Sequence, residues 1–280
     1  SMYTKESLKT EMIQAVQQVK ETNPMAGSIT NSVTINLVAN AQLAVGGAAA
    51  MVYMPDEGEF LAQAGGATYI NVGTLMPVYG DTLPLCAKTL HERQKPWVLD
   101  PVAIGIGSLR SELLMTFKQY KPTIIRGNAS EIIALAGLWG LDGGAEHSSV
   151  RGVDSTEEVI AARDAAIHLA RYTGGAVAVS GEKDLITDGK QVITSYGGSH
   201  FFGKITGAGC ALAGVMAVYA TAAKPLVAAL LGSAVFNLAG RKAGQTEVAP
   251  ASFQVRFLDE LYLASPEEIA DNPFDLEEIE

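Results

Sequence analysis

The sequence predicts an α/β protein, with a mostly parallel central sheet and helices on both of its faces. Short, continuous apolar runs recur along the chain, and helix-length segments separate them, as in strands buried on both sides. The composition agrees: 29 glycines in 280 residues, 48% apolar and only 18% charged, fit many tight turns around a sizeable core.

Residues 5–21 carry Leu8, Met12, Ala15, Val16 and Val19 on one helical stripe. A second helix is expected over 31–45, unusually polar because of Asn31, Asn36, Asn40 and Gln42. Strands are expected at AAAMVYM (48–54), ATYINVG (67–73), PWVLD (96–100), TIIRG (123–127) and GAVAVSG (175–181). Helical segments fall near 57–65, 80–94, 109–119, 129–138 and 155–173. DLITDGKQVITSY predicts a hairpin turning at Asp188-Gly189. Helices over 207–222, 225–243 and 251–264 follow. In the acidic tail 265–280, Ser265-Pro266 marks a helix cap and first-turn proline, so a short, fraying helix is expected, its acidity serving solvation. Residues 1–4 are expected to be a flexible start, with Ser1 ahead of Met2 an expression remnant. No repeat, linker or boundary interrupts the pattern, so 1–280 reads as one domain.

A net charge of −10 without a basic stripe excludes a nucleic-acid partner held through phosphates. The four histidines, His91, His147, His168 and His200, lack metal-ligand spacing, which sets aside a zinc site. Lys224-Pro225 breaks the apolar region 211–239, which reads as two buried helices and not a membrane span. Cys86 and Cys210 form no C-x-x-C pair; with no leader-like start, they predict a reducing, cytoplasmic setting.

In open α/β sheets, ligands bind beyond the carboxyl ends of the strands. Those ends here carry Asn71 and Thr74, Asp100, Arg126 and Asn128, and Ser180 with Glu182. The glycine turn KITGAGC, 204–210, precedes a long helix. It reads equally as a close-packing turn or as an anion hole made by Gly207, Ala208 and Gly209 N–H groups. It is not a Walker-type P-loop, because Lys204 precedes the turn. Asp100 is either a turn aspartate or a carboxylate helping to hold Mg²⁺ through water, since this ion keeps several of its waters. NASE, 128–131, matches a capping box; the alternative gives Glu131 a water-mediated role near Mg²⁺ and nucleotide phosphates. Arg126, ending an apolar strand, requires an anionic partner, either a structural carboxylate or a bound phosphate. Ser180 is a turn residue or a nucleotide contact, and Met51 reads as core filling.

Taken together, SITNSVTINLVANAQLAVGGAAAM, GATYINVGTL, PWVLDPV, IIRGNASEI, GVDS, AVSGEKDLITDG, KITGAGC and ASFQ resemble the hydroxyethylthiazole kinases of thiamin salvage, over about residues 24–256. The resemblance implies a three-layer ribokinase-like fold and transfer of the ATP γ-phosphoryl group to 4-methyl-5-(2-hydroxyethyl)thiazole with Mg²⁺. It implies thiazole-alcohol contacts from Met51 and Gly207 with Asn31 beside them, ATP contacts from Arg126 and Ser180, and Mg²⁺ organised by Asp100 and Glu131. It also implies a homotrimer with sites between subunits. Cys210 occupies the place where aspartate serves as base in sugar- and vitamin-phosphorylating relatives. A thiol titrates near about 8.5, lower at a helix N-terminus, so partial thiolate character is expected; packing beneath the substrate is the alternative role. Two departures stand near the expected site: Gly27 where members commonly carry histidine, and DPVAIGIGS, with Ala103 in place of a glycine and bulkier Ile104 and Ile106. Other readings are a kinase for another heterocyclic alcohol, a dehydratase-type use of ATP on damaged nicotinamide cofactors, and a ligand-binding member without turnover. Cys210 argues against the first two, which would more naturally keep aspartate in the turn.

Overall fold

Nine strands carry the architecture in the computed structural model, which describes residues 2–145 and 158–279. They are β1 (Met25–Ile29), β2 (Ala48–Met51), β3 (Ala67–Asn71), β4 (Trp97–Asp100), β5 (Ile124–Asn128), β6 (Ala176–Ser180), β7 (Asp184–Thr187), β8 (Gln191–Ser195) and β9 (Phe274–Glu278). They form one sheet in the order β2-β1-β3-β4-β5-β6-β7-β8-β9. The first six are parallel, and β7, β8 and β9 continue antiparallel.

Side chains alternate along each central strand, as the pleat requires. Tyr69, Val98, Ile124 and Ala178 face one core, while Ile70, Leu99, Ile125 and Val177 face the other. The first core is closed by α1 (Lys5–Thr22), α2 (Ile35–Ala44), α8 (Ala208–Ala220), α9 (Pro225–Gly244), α10 (Pro250–Leu263) and α11 (Pro266–Asp271). The second is closed by α3 (Pro55–Ala64), α4 (Tyr79–Glu92), α5 (Ser108–Tyr120), α6 (Ala129–Leu138) and α7 (Arg163–Thr173). Burial on both faces is why the strands read as continuous apolar runs. By length and composition α9 could cross a bilayer, but 89% of its apolar stretch is buried inside the protein.

The structure departs from the sequence expectation in several places. The strand expected over 48–54 ends at Met51, and the helix expected near 155–173, whose residues 155–157 lie outside the described ones, begins as α7 only at Arg163 after a 3₁₀ turn at Val159–Ala162. MAGSI forms β1, although its glycine and serine conceal a strand. The helix expected over 31–45 begins only at Ile35, leaving Asn31 in the turn after β1. The start is tied down: Tyr3 N donates to Gln191 Oε1 and Gln191 Nε2 to Tyr3 O, both at 2.8 Å, and Thr4 caps α1. In the tail, Ser265 caps α11 in a capping box as expected, but the chain then continues as β9 on the edge of β8. GVDS, 152–155, lies outside the described residues.

Candidate active site

The strand order reverses at β1, whose neighbours are β2 on one side and β3 on the other, and such a switch point opens a crevice at the carboxyl ends. Asn31 follows β1; Asn71, Asp100 and Ser180 end β3, β4 and β6; Arg126 lies near the end of β5. Across these ends lies the start of α8. Gly207 precedes it at φ +90°, the left-handed conformation that suits glycine, and no side chain caps the helix. The first-turn N–H groups are therefore left for another acceptor. A Cβ on Gly207 would stand 3.0 Å from Thr34 Cβ, and one on Gly209 would stand 2.7 Å from Arg126 Nη1. The glycines thus let α8 approach the turn after β1 and the guanidinium of β5.

Arg126 is the hub. Its Nη2 donates to Asp100 Oδ1 at 2.8 Å and its Nη1 to Ser180 Oγ at 2.7 Å, while Glu131 Oε1 lies 3.9 Å from Nη2. Of the two partners the sequence left open, the structure supplies the carboxylate. Asp100 also accepts from Tyr69 Oη at 2.9 Å. Burial pushes the Asp100 carboxyl up, against the opposing pull of Arg126, Tyr69 and Asn71. Burial acts to lower the Arg126 pKa, but Asp100 and Glu131 outweigh it and the guanidinium stays charged. The capping box expected at NASE is formed: Glu131 N donates to Asn128 Oδ1 and Asn128 N to Glu131 Oε1, both at 2.9 Å. Burial raises the Glu131 carboxyl to about 7.

Cys210, in the first turn of α8, accepts from Asn71 Nδ2 at 3.2 Å. The expected lowering of its pKa is not found. Burial and the nearby Asp100 push the thiol up, and Thr34, Arg126 and Tyr69 only partly oppose them. Met51 stands apart from this network, half-buried at the end of edge strand β2 and in register with Ser28.

A cavity of about 740 Å³ opens beside Arg126, between the β6–β7 turn, residues 197–203 and the start of α8. A second, of about 760 Å³, lies against the same turn and reaches Asn128 and Tyr196. Both have the size of small-molecule sites. Their shared wall is Ser180, Gly181, Glu182 and Asp184. The Asp184 carboxylate accepts from Gly181 N and Asn237 Nδ2, each at 3.1 Å, and burial raises it from 3.8 to about 6.

The model of the hydroxyethylthiazole kinase family matches residues 16–267. The chain belongs to that family. A hydroxyethylthiazole kinase of Bifidobacterium longum subsp. infantis is 49% identical over 95% of this chain and 90% of its own length. The one of Leptospira interrogans is 41% identical over 92% and 94%. The structure of the hydroxyethylthiazole kinase protein from Pyrococcus horikoshii superposes with a TM-score of 0.83, at 29% identity, over 97% of this chain and all of the other. A ribokinase-like superfamily protein of Enterococcus faecalis shares the fold at a TM-score of 0.57 and 13% identity, over 93% of this chain and 90% of its own.

Both departures from the usual hydroxyethylthiazole kinase pattern have physical settings. Gly27 lies within β1 beneath Leu61 of α3, and a Cβ there would stand 2.9 Å from Leu61 Cδ1. The larger leucine occupies the space that a side chain at 27 would need. Ala103 adopts φ +60°, a conformation that costs an L-residue about 1–2 kcal/mol and glycine nothing. Ala103→Gly is therefore expected to stabilise the protein by roughly 0.5–1 kcal/mol after the entropy cost of glycine. Urea unfolding measures this, and a loss of stability would contradict it. Ile104 is buried in the second core, whereas Ile106 is exposed.

Tyr69 and Asp184 do not stand out as site residues in the sequence, because each lies within a stretch that reads as core or hairpin. Asp184 also gives a pH test. A carboxyl whose folded pKa exceeds its unfolded value stabilises fully below the unfolded value, 3.8, and loses that contribution as pH rises through about 6. Between pH 4 and 8, Asp184→Asn should thus gain on the parent by on the order of 2–3 kcal/mol. Denaturant unfolding across that range reads the difference, and a pH-independent gap would refute the assignment.

Proposed function

We propose that this chain transfers the γ-phosphoryl group of ATP to the primary hydroxyl of 4-methyl-5-(2-hydroxyethyl)thiazole in thiamin salvage. The observation that carries this reading is the convergence of Asp100, Glu131 and Ser180 on the one guanidinium of Arg126, directly beside the glycine turn of α8.

ATP lies along the shared cavity wall, contacted by Arg126 and Ser180. The anion hole of Gly207, Ala208 and Gly209 receives the transferring phosphoryl oxygens through N–H groups that no side chain caps. Met51, Gly207 and Asn31 contact the thiazole alcohol, whose hydroxyl reaches Cys210. A loose phosphoryl-transfer transition state asks little of a base early, so a thiol held neutral by burial is sufficient there.

The residues fit Mg²⁺. This ion favours one or two carboxylates, with substrate phosphates and water supplying its other ligands. Asp100 and Glu131 are two such carboxylates, both beside Arg126, and among the described residues no larger His/Cys/Asp/Glu cluster suggests another metal. When bound, the ion would neutralise charge on the phosphates. Arg126 adds a fixed positive charge and orients Asp100.

The active assembly is a homotrimer with sites between subunits, supported by exposed Val33 and Met54 just beyond the carboxyl ends of β1 and β2. The buried free thiols Cys86 and Cys210 suit a reducing, cytoplasmic setting.

Incubation with Mg-ATP and a panel of heterocyclic alcohols tests the function. ADP and phosphorylated product should form with hydroxyethylthiazole and stop when Mg²⁺ is chelated. Turnover confined to another alcohol, or binding without product, would overturn the assignment. Sedimentation velocity should give three times the 29.4 kDa chain mass.

A further inference from the structure

The sulfur of Cys210 is ringed by hydrogen-bond donors. Asn71 Nδ2 lies 3.2 Å away and Asn31 Nδ2 3.9 Å. The orientation of each amide follows from backbone groups that can only donate. Gly73 N donates to Asn71 Oδ1 at 2.8 Å, and Val33 N and Thr34 N donate to Asn31 Oδ1 at 3.0 and 3.1 Å. Each amide oxygen therefore faces the backbone, and each NH₂ group is turned toward the sulfur. Asn31 Nδ2 also donates to Asn71 Oδ1 at 3.1 Å, which braces the two amides against one another. Asn71 Nδ2 donates at 2.8 Å to Tyr69 Oη, the same hydroxyl that donates to Asp100.

We infer that Asn71 is a positioning residue for phosphoryl transfer: its amide, locked by Gly73, holds the Cys210 sulfur as a hydrogen-bond acceptor at the start of α8. The inference rests on the reading that the substrate hydroxyl meets Cys210. Around the Cβ–Sγ bond, the directions toward Asn31 and Asn71 are closed to the thiol hydrogen, because both groups there are donors. With its two lone pairs facing the two amides, the sulfur has its one hydrogen aimed in the remaining direction, and an alcohol oxygen beside the sulfur meets one arrangement instead of several. Preorganisation of this kind costs nothing at the moment of reaction. Through Tyr69 the same amide also ties the sulfur to Asp100, so the acceptor and donor sides share one framework.

The competing account is that Asn71 only ends β3, its Oδ1 closing a turn on Gly73 N. Asn71→Asp separates the two, because it keeps an acceptor for Gly73 and replaces the donor facing sulfur. Its Cys210 S–H infrared band, identified by its disappearance in Cys210→Ala, should move from the parent position. Asn71→Ala should lower kcat about tenfold or more with KM for ATP within about twofold. In a Cys210→Ala background, the same substitution should change kcat by less than about twofold, since its partner is gone. An unmoved S–H band, or equal losses with and without the sulfur, overturns the inference. Should Asn71→Asp fail to fold, the Asn71→Ala cycle decides alone. Parent-level kcat in Cys210→Ala would instead sink the placement of the hydroxyl at Cys210, and this role with it.

Discussion

Arg126→Met should lower stability by about 3–5 kcal/mol and abolish turnover. Asp100 is fully buried, and its ion pair with Arg126 at 2.8 Å is the reason a charge is tolerated there. Removing the guanidinium leaves that carboxylate unpaired, along with the Ser180 hydroxyl that accepts from Nη1. Burial already raises the Asp100 carboxyl, and loss of Arg126 raises it further. The sign of the pH effect follows. With the folded pKa above the unfolded one, stability is present at low pH and lost as pH rises, so the deficit should be larger at pH 8 than at pH 5. Arg126→Lys distinguishes charge from shape. A point charge restores part of the stability but cannot bridge Asp100 and Ser180 at once, so activity should remain low. Urea unfolding at the two pH values and an ADP-release assay check both statements; full activity in Arg126→Lys would show that charge alone suffices.

Glu131→Gln should behave in the opposite way, keeping the fold and losing turnover. Glutamine at this position still closes the capping box on Asn128, because its side-chain oxygen can accept the same N–H. Stability at pH 8 should rise by on the order of 1–3 kcal/mol, since burial raises the Glu131 carboxyl to about 7 and its ionisation above that pH is unfavourable. Turnover should fall roughly 10–100-fold, the usual cost of removing a group that orders a metal and its waters. The Mg²⁺ concentration for half-activity should rise. Parent-like turnover would leave the capping box as the whole role of Glu131.

The parallel half of the sheet was legible in the sequence because strands covered on both faces are apolar along their middles, as Tyr69-Ile70 and Trp97–Leu99 are, with polar residues only toward their ends. β1 was hidden by its own packing: Gly27 makes room for Leu61, and Ser28 accepts from buried Gln42 at 3.2 Å, so neither position is apolar. β9 was hidden by its place at the sheet edge. Phe274 is buried while Asp275 and Glu277 face solvent, and that alternation is easily lost in an acidic tail. At the site, Asp100, Arg126, Glu131 and Ser180 stood out as polar groups at strand ends and a helix start. Their partners did not. A tyrosine inside ATYIN looks like core, and nothing in the one-dimensional order tells that its hydroxyl reaches Asp100 across the neighbouring strand. The thiol pKa departs from the sequence expectation for a related reason: helix position is visible in the sequence, but burial and the closeness of Asp100 are not.

The division of helices between the two cores also bears on how the protein is made. β1 through β5 and the helices α3 to α6 leave the ribosome early, and the second core can assemble largely from these neighbours in sequence. On the opposite face α1 and α2 come early, but α8, which packs on β1, β3, β4 and β5, begins more than a hundred residues after β4. During synthesis that face, with Tyr69, Val98 and Ile124, stands open to water or to chaperones. Cys210 and the glycine turn arrive with the helix that packs over these strands, so the nascent chain completes its candidate site and the cover of this face in the same event.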